Sequence, residues 1–277
     1  MNVVVRCIWD HREDDMSSDV TRLSQWMDHH RTRMELGPLS ILIRKLLSHS
    51  LLSTDDQQAI AALPHKLRRL QPGESILREG DQAEICPVLL SGFAYRQKVA
   101  SDGGRQIVAL KLPGDALDLQ SLYLEKADHD IRMLTTAEMA LVPLAAMEQL
   151  TIKRPAVARA VLIDILVEAS IGREWLLNIG RRNALARLAH LLCELHDRVS
   201  DIASEASEYF EIPLTQEQLA DLLGLTPVHI NRMVRQLEKM GAIGRPSRSL
   251  TILNLSELAK ISKFSSAYLH RNNVSGV

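Results

Sequence analysis

The chain has little cysteine: Cys7, Cys86 and Cys193 stand singly in 277 residues. That excludes a disulfide scaffold, offers no CxxC pair to zinc, and suits a reducing cytoplasm. Apolar runs of about 18 residues are missing too, so no membrane-spanning helix is expected. No secretory leader is expected either, because in MNVVVRCIWDHREDD the apolar run is short and charges follow at once. Residues 1 to about 36 are expected to be a poorly structured extension, at best an added helix through Leu23, Trp26 and Met27, with Met16, Met27 and Met34 as alternative starts. Neither charge sign is in excess: 33 Lys and Arg face 34 Asp and Glu, a net charge of −1. This excludes a bulk polycation but leaves room for a locally basic module. The length allows two domains, each with its own core.

What is present is most specific between Leu214 and Ile243, LTQEQLADLLGLTPVHINRMVRQLEKMGAI. Thr215 with Gln218 three residues on is a capping box that opens a helix. Leu219, Leu222 and Leu223 mark its buried face. Gly224 supplies the left-handed end, and Thr226-Pro227 follows as N-cap and first-turn proline. In the second helix Ile230, Met233, Val234 and Leu237 repeat at i, i+3, i+4 and i+7 and fix the inward face. The opposite face carries Val228, Arg232, Arg235 and Lys239, flanked by His229 and Asn231. A core stripe backed by a basic stripe is what a major-groove recognition helix needs. An ordinary helical hairpin with a solvated basic face is the competing interpretation. GRPSRSLTILN then reads as a turn with Arg245 and Arg248 leading into a β-hairpin wing. Leu225 to Leu250 has a local charge of +4, whereas Asp201 to Gly224 holds six acids and no Lys or Arg. Basic charge gathers where groove-facing elements are expected.

Upstream, Leu39 onward predicts two short amphipathic helices, the second capped by Ser53 or Thr54. Glycine turns then recur at QPGE, REGD, LSGF, SDGGRQ and LPGD between short β-prone runs, the pattern of an antiparallel β-barrel or jelly roll over about Lys66 to Leu144. After Pro143 the apolar or small residues Ala158, Leu162, Ile165, Ala169, Gly172, Leu176 and Ile179 step by 4 and 3, an a/d seam of about three heptads. Asp164, Glu168, Arg173 and Glu174 lie off it and are expected on an exposed face, which favours a parallel helix pair between two subunits. Gly180 to Asn183 interrupts the periodicity as a candidate hinge, with Asn183 capping the next helix and Asp201 to Glu211 connecting to the two-helix unit.

The order of β-roll, long helix, hinge, helix-turn-helix and wing resembles the Crp/Fnr family of bacterial transcription regulators. The likeness covers roughly Leu39 to Leu255 and rests most on LTQEQLADLLGLT…NRMVRQLEKMGAI and the Pro113 to Asp115 turn. It implies an α+β chain: an N-terminal extension (1–36), an antiparallel, cyclic-nucleotide-binding-like β-roll with flanking helices (37–150), a dimerisation helix (151–180) and a winged helix-turn-helix (181–277). It also implies a homodimer on a palindromic double-stranded DNA operator, with RNA polymerase as a further candidate partner. Phosphate contacts then fall to Thr215, Gln216 and Thr226 and a base contact to Arg232, with Val228, His229, Asn231, Arg235 and Arg248 completing the DNA-facing set.

Two departures qualify the resemblance. Cyclic-nucleotide members follow the PGD-type turn with a Gly-Glu pair and later an Arg-Ser pair that holds the cyclic phosphate. Here those places read Asp118-Leu119 and His129-Asp130, and an acid there repels a phosphate while no Arg replaces the clamp. An ordinary cAMP receptor is not expected; control falls to another effector or to abundance. Asp118, Gln120, Ser121, His129 and Arg173 are the polar groups expected at an effector pocket. Iron-sulfur members use four cysteines, mostly near the N-terminus, and only Cys7 lies there, so neither cluster nor haem, nor any other cofactor, is expected. In the recognition helix, Pro227-Val228 replaces an Arg-Glu pair, which removes the acceptor for cytosine N4 and offers a thymine methyl contact.

Two residue groups invite a metal. Asp128, His129 and Asp130 read as a polar hairpin tip, with no HxH pair beside them. His190, Cys193 and His196 share a helix, but Cys193 among leucines reads as a buried, inert thiol. A cupin-like metal enzyme with an accessory DNA-binding domain lacks its His-rich strand. A protein-docking winged module is the other rival, and a steep salt dependence of binding separates it from a DNA reader. No catalysis is expected.

Overall fold

A computed structural model describes residues 2–8, 36–200, 209–244 and 249–271. It divides into two compact units, one made of His30–Lys98, Val108–Gly172 and the chain from Ala267, the other of Arg173–Ser266 with the Val99–Ile107 turn and the N-terminal strand.

The first unit is a β-roll. Strands β2 (Lys66–Leu70), β4 (Ile85–Ser91) and β8 (Ala137–Pro143) form one sheet in the order β2-β8-β4. Strands β3 (Ser75–Leu77), β5 (Ala94–Val99), β6 (Arg105–Lys111) and β7 (Asp130–Met133) form a second, ordered β3-β7-β5-β6. The β2–β8, β4–β8, β3–β7 and β5–β7 pairs are antiparallel. The glycine punctuation is the reason the strands are short. At Gly92, between β4 and β5, the backbone has φ +80°, and an added Cβ would collide with the Thr136 carbonyl. Leu70, Leu89, Leu117, Ile131, Met133 and Met139 fill the roll. Helices α1 (Ser40–Leu47) and α2 (Thr54–Ala61, capped by Ser53 with Asp56 in a capping box) pack through Leu42, Ile43, Leu46 and Ile60 on a second cluster. The PGD turn is tied down from within: the Asp115 carboxylate accepts from the Leu112 amide at 2.9 Å and pairs with Lys45 of α1.

Helix α3 (Leu144–Lys153) starts directly after Pro143, and α4 (Pro155–Arg181) follows. The charged residues of α4 correct the sequence expectation. Asp164 is buried and 3.4 Å from Lys45, while Glu168 pairs with Arg96 of β5 and, at 2.6 Å, with Lys111 of β6. These acids face the roll. The outward face carries an apolar stripe: Leu162, Leu166 and Leu176 are 51%, 56% and 73% exposed, and Ala169 and Gly172 are exposed with them. Two proposed seam members leave this stripe. Ile165 packs on the roll's second cluster, and Ile179 lies against the position of Gly224. Periodicity explains why. At about 100° per residue Leu166, Ala169 and Leu176 stay within roughly 40° of Leu162, whereas Ile165 and Ile179 drift to about 60° and 100°, because a straight helix does not keep a seven-residue repeat.

In the second unit α4 continues through Gly180, and the break falls at Arg182-Asn183, inside the expected Gly180 to Asn183 interruption. The Asn183 side chain caps α5 (Ala184–Ser200), accepting from the Ala186 amide at 3.0 Å. Both sides of the break belong to one compact unit, since the division lies at Gly172–Arg173 inside α4. They are stitched together: Trp175 Nε1 donates to Glu194 at 2.9 Å, Asn178 Nδ2 to the Arg187 carbonyl at 3.3 Å, and Arg187 Nε to the Arg182 carbonyl at 2.9 Å.

The N-terminus supplies a further correction. Residues 2–8, expected in a poorly structured extension, form β1 (Asn2–Ile8) in a four-stranded sheet with β9 (Tyr209–Thr215), β10 (Ile243–Gly244) and β11 (Ser249–Ile252). The order is β10-β11-β1-β9, with β1 antiparallel to β9 and parallel to β11. The β-branched run NVVV suits a strand, and it satisfies the edges that β9 and β11 would otherwise leave open. The helix considered through Leu23, Trp26 and Met27 lies outside the described residues.

His190 on α5 is buried, with Nε2 3.2 Å from Glu174 and its ring edge-on to Phe264 at 5.1 Å. Burial first, and the nearby Arg182 charge second, push its pKa down from 6.5 to about 4. Between those values the unfolded chain binds a proton that the native state does not, so stability falls as pH drops through this window. The contribution is up to about 1.4 kcal/mol per pH unit. Urea midpoints between pH 4.5 and 7.5 are expected to decline toward acid less steeply in His190→Gln than in the parent; parallel curves would remove His190 as the cause.

Candidate nucleic-acid interface

Helices α6 (Gln216–Leu223) and α7 (Pro227–Lys239) carry the interface. The capping box at the start of α6 is formed in full: Thr215 Oγ accepts from the Gln218 amide at 3.0 Å, and Gln218 Oε1 accepts from the Thr215 amide at 2.8 Å. Gly224 ends the helix at φ +60°. Thr226 Oγ accepts from the His229 amide at 3.3 Å, with Pro227 in the first turn. Each threonine hydroxyl accepts one amide and keeps its own O–H to donate, the capacity a phosphate contact requires.

Burial fixes the face that α7 presents. Ile230, Val234 and Leu237 are fully buried, each worth about 1.5–3 kcal/mol, and Met233 is half-buried. Val228, His229, Arg232, Arg235, Gln236 and Lys239 are exposed. Gln236 was not singled out from the sequence, although it follows Arg232 by one turn on the same side. Gln216 and Asn231 join the two helices through reciprocal amide bonds of 3.0 and 3.2 Å. Their polar groups are thus already paired with each other in the free protein. Arg187 NH1 donates to the Leu223 carbonyl at 3.0 Å and so braces the turn between the helices from α5. The wing's strands β10 and β11 are present and antiparallel; Arg245 and Arg248 lie outside the described residues.

The polar groups expected at an effector pocket meet in part. Asp118 and His129 are buried with 3.9 Å between Oδ1 and Nε2. Ser121 donates to Asp118, and Gln120 reaches Asp128 at 3.3 Å. His129 Nδ1 stands 2.7 Å from Asp128, yet burial and the nearby Arg96 hold the imidazole pKa below its usual value. Asp118 also lines a cleft of about 200 Å³ with Asp81, Glu84 and apolar residues that include Ile76 and Ile131. Arg173 does not join them. It lies on the exposed side of α4, about 20° from Leu162, whereas α4 turns Asp164 and Glu168 inward. Arg96 and Lys111 were also missed. Every residue of β5 from Ala94 to Gln97 is buried, so no alternation marked Arg96. In β6, by contrast, period two already placed Lys111 on the side of Ile107.

Among the described residues no group of three or more His, Cys, Asp or Glu is placed to hold a metal ion. Cys193 is buried, and burial pushes its thiol pKa up to about 12, as expected of an inert thiol. No helix among the described residues is long and apolar enough to cross a membrane.

Comparison with known proteins agrees with this layout. Residues 67–154 match the cyclic nucleotide-binding domain and residues 186–261 the Crp-like helix-turn-helix domain. The transcriptional activator protein FnrL of Cereibacter sphaeroides is 30% identical over 179 residues, 64% of this chain and 71% of its own length. The chain belongs to the Crp/Fnr family of transcription regulators. The fumarate and nitrate reduction regulatory protein of Vibrio cholerae is 26% identical, over 70% of this chain and 78% of its own. Among solved structures, FixK2 from Bradyrhizobium japonicum is similar with a TM-score of 0.65 at 25% identity, covering 73% of this chain and all of FixK2. This Crp/Fnr chain is therefore a DNA-binding transcription regulator, and its family members are regulators rather than enzymes. The expected α+β fold, with β-roll, long helix and helix-turn-helix, is the fold observed.

Proposed function

We propose that this Crp/Fnr regulator acts in the cytoplasm as a homodimer on a palindromic operator, without cyclic AMP, under the control of another effector or of its own abundance. The observation that carries this is the pairing of two exposed surfaces: the apolar stripe of Leu162, Leu166, Ala169 and Leu176 on α4, and the basic face of α7. A leucine stripe left in water on a helix whose acids are turned inward is the surface a second copy would cover.

On DNA, Arg232 reads a base edge and Val228 meets a thymine methyl. Thr215, Thr226, Arg235 and Arg248 hold phosphates, with His229 at the flank. Gln216 and Asn231 join only after giving up their mutual bonds. RNA polymerase is the partner through which an activator of this kind would act. The case against cyclic AMP is electrostatic: Asp118 is buried where a phosphate would lie, Asp81 and Glu84 line the same cleft, and burial and Arg96 lower the pKa of His129 beside it.

Operator selection from random DNA is expected to return a palindrome, unchanged by cyclic AMP, and a calorimetric titration with the nucleotide is expected to show no saturable heat. Saturable binding that sharpens the selected site would overturn the effector argument. Against the selected operator, Arg232→Ala should weaken specific binding by about 10-fold or more, corresponding to about 1–3 kcal/mol for a lost bidentate base contact. Anisotropy curves that matched the parent would remove Arg232 as the reading side chain. Leu162→Asp combined with Leu176→Asp should yield monomers by light scattering, and persistent dimers would place the interface elsewhere.

A further inference from the structure

We propose that Arg96 and Lys111 form a buried anion site inside the β-roll whose ligand is built into the chain: the Glu168 carboxylate, standing where a diffusible acidic effector would otherwise bind. This rests on the β-roll being an effector-binding-like domain, and it names how that domain is satisfied.

The geometry is specific. Arg96 and Lys111 come from β5 and β6, and only 8% and 4% of their surfaces remain exposed. Arg96 NH1 and Lys111 Nζ converge on one oxygen, Glu168 Oε1, with Lys111 at 2.6 Å. The guanidinium is aimed by a second bond, from NH2 to the Leu117 carbonyl at 2.6 Å, and its buried Nε has no hydrogen-bond partner. Two cations thus meet on a single acceptor, the arrangement expected of an anion site.

The other acids nearby are committed. Asp115 serves Lys45 and the Leu112 amide, and Asp118 accepts from Ser121 through Oδ2, while no hydrogen bond from Arg96 or Lys111 to Asp118 is formed. Burial and the neighbouring Arg96 draw the Lys111 pKa down, and the Glu168 and Asp115 carboxylates oppose that shift. The cleft lined by Asp118, Asp81 and Glu84 disfavours a free anion, whereas α4 carries Glu168 directly to Arg96 and Lys111. The same contact ties the helix to the roll without a signal molecule.

Thermal unfolding of the full chain in chloride, formate or acetate at equal ionic strength tests this without DNA. In Glu168→Ala, Tm should fall by about 5–10 °C, since two buried cations lose their partner. Formate should restore at least half of that loss by occupying the vacated place, and adding Lys111→Met should abolish the recovery. Glu168→Gln keeps the volume and removes the charge; it should be destabilised and insensitive to formate. The parent should respond to formate no more than to chloride. Overturning results would be an alanine variant as stable as the parent, a loss that no carboxylate recovers, or a parent stabilised specifically by formate. A parent that selects no operator would remove the proposed regulator function while leaving the anion rescue untouched.

Discussion

A buried charge must have an opposite charge beside it, and in this protein that constraint decides which way the long helix faces. Asp164 and Glu168 of α4 meet Lys45, Arg96 and Lys111 from three separate elements of the roll unit. Turning those acids outward would strand two cations that are more than nine-tenths buried. With the acids fixed inward, Leu162 and Leu166, about 120–160° away, must face out. The exposed apolar stripe is thus a consequence of the buried ion pairs.

In the DNA-reading unit the governing constraint is backbone hydrogen bonding at helix ends. Thr215, Gln218, Thr226 and Asn183 each satisfy an amide that the first turn of a helix leaves open. At the other end of α6, the Arg187 guanidinium serves the Leu223 carbonyl. These local bonds set the angle between α6 and α7, and the buried side of α7 then presents Val228, His229, Arg232 and Arg235 together. Recognition chemistry here is a by-product of capping and core packing, which place the basic side chains without engaging them.

The two-helix unit was legible because its determinants are local. Capping pairs three residues apart, a left-handed glycine and an i, i+3, i+4 stripe all operate within a few turns. The glycine-punctuated strands were legible for the same reason. Reading the charges of α4 failed because the rule that charged positions face solvent is statistical, and it yields wherever partners exist. Lys45 and Arg96 lie 119 and 72 residues from Asp164 and Glu168, and no periodicity reports such pairings. The 4-3 spacing on α4 picks out Leu162, Ala169 and Leu176, which are exposed together with Leu166. Ile165 and Ile179 are partly buried instead, since a strict heptad drifts off one face of a straight helix.

By itself the sequence determined the elements, their caps and turns, the buried side of each DNA-reading helix and the membership in a β-roll regulator family, because each of these follows from short-range sterics and hydrogen bonding. Only the tertiary structure decided that Asn2–Ile8 completes a sheet between β9 and β11, that α4 turns its acids inward, and that Arg96 and Lys111 share one carboxylate. Those outcomes depend on which distant groups become neighbours. Desolvation and charge pairing act only after the chain has brought the partners together.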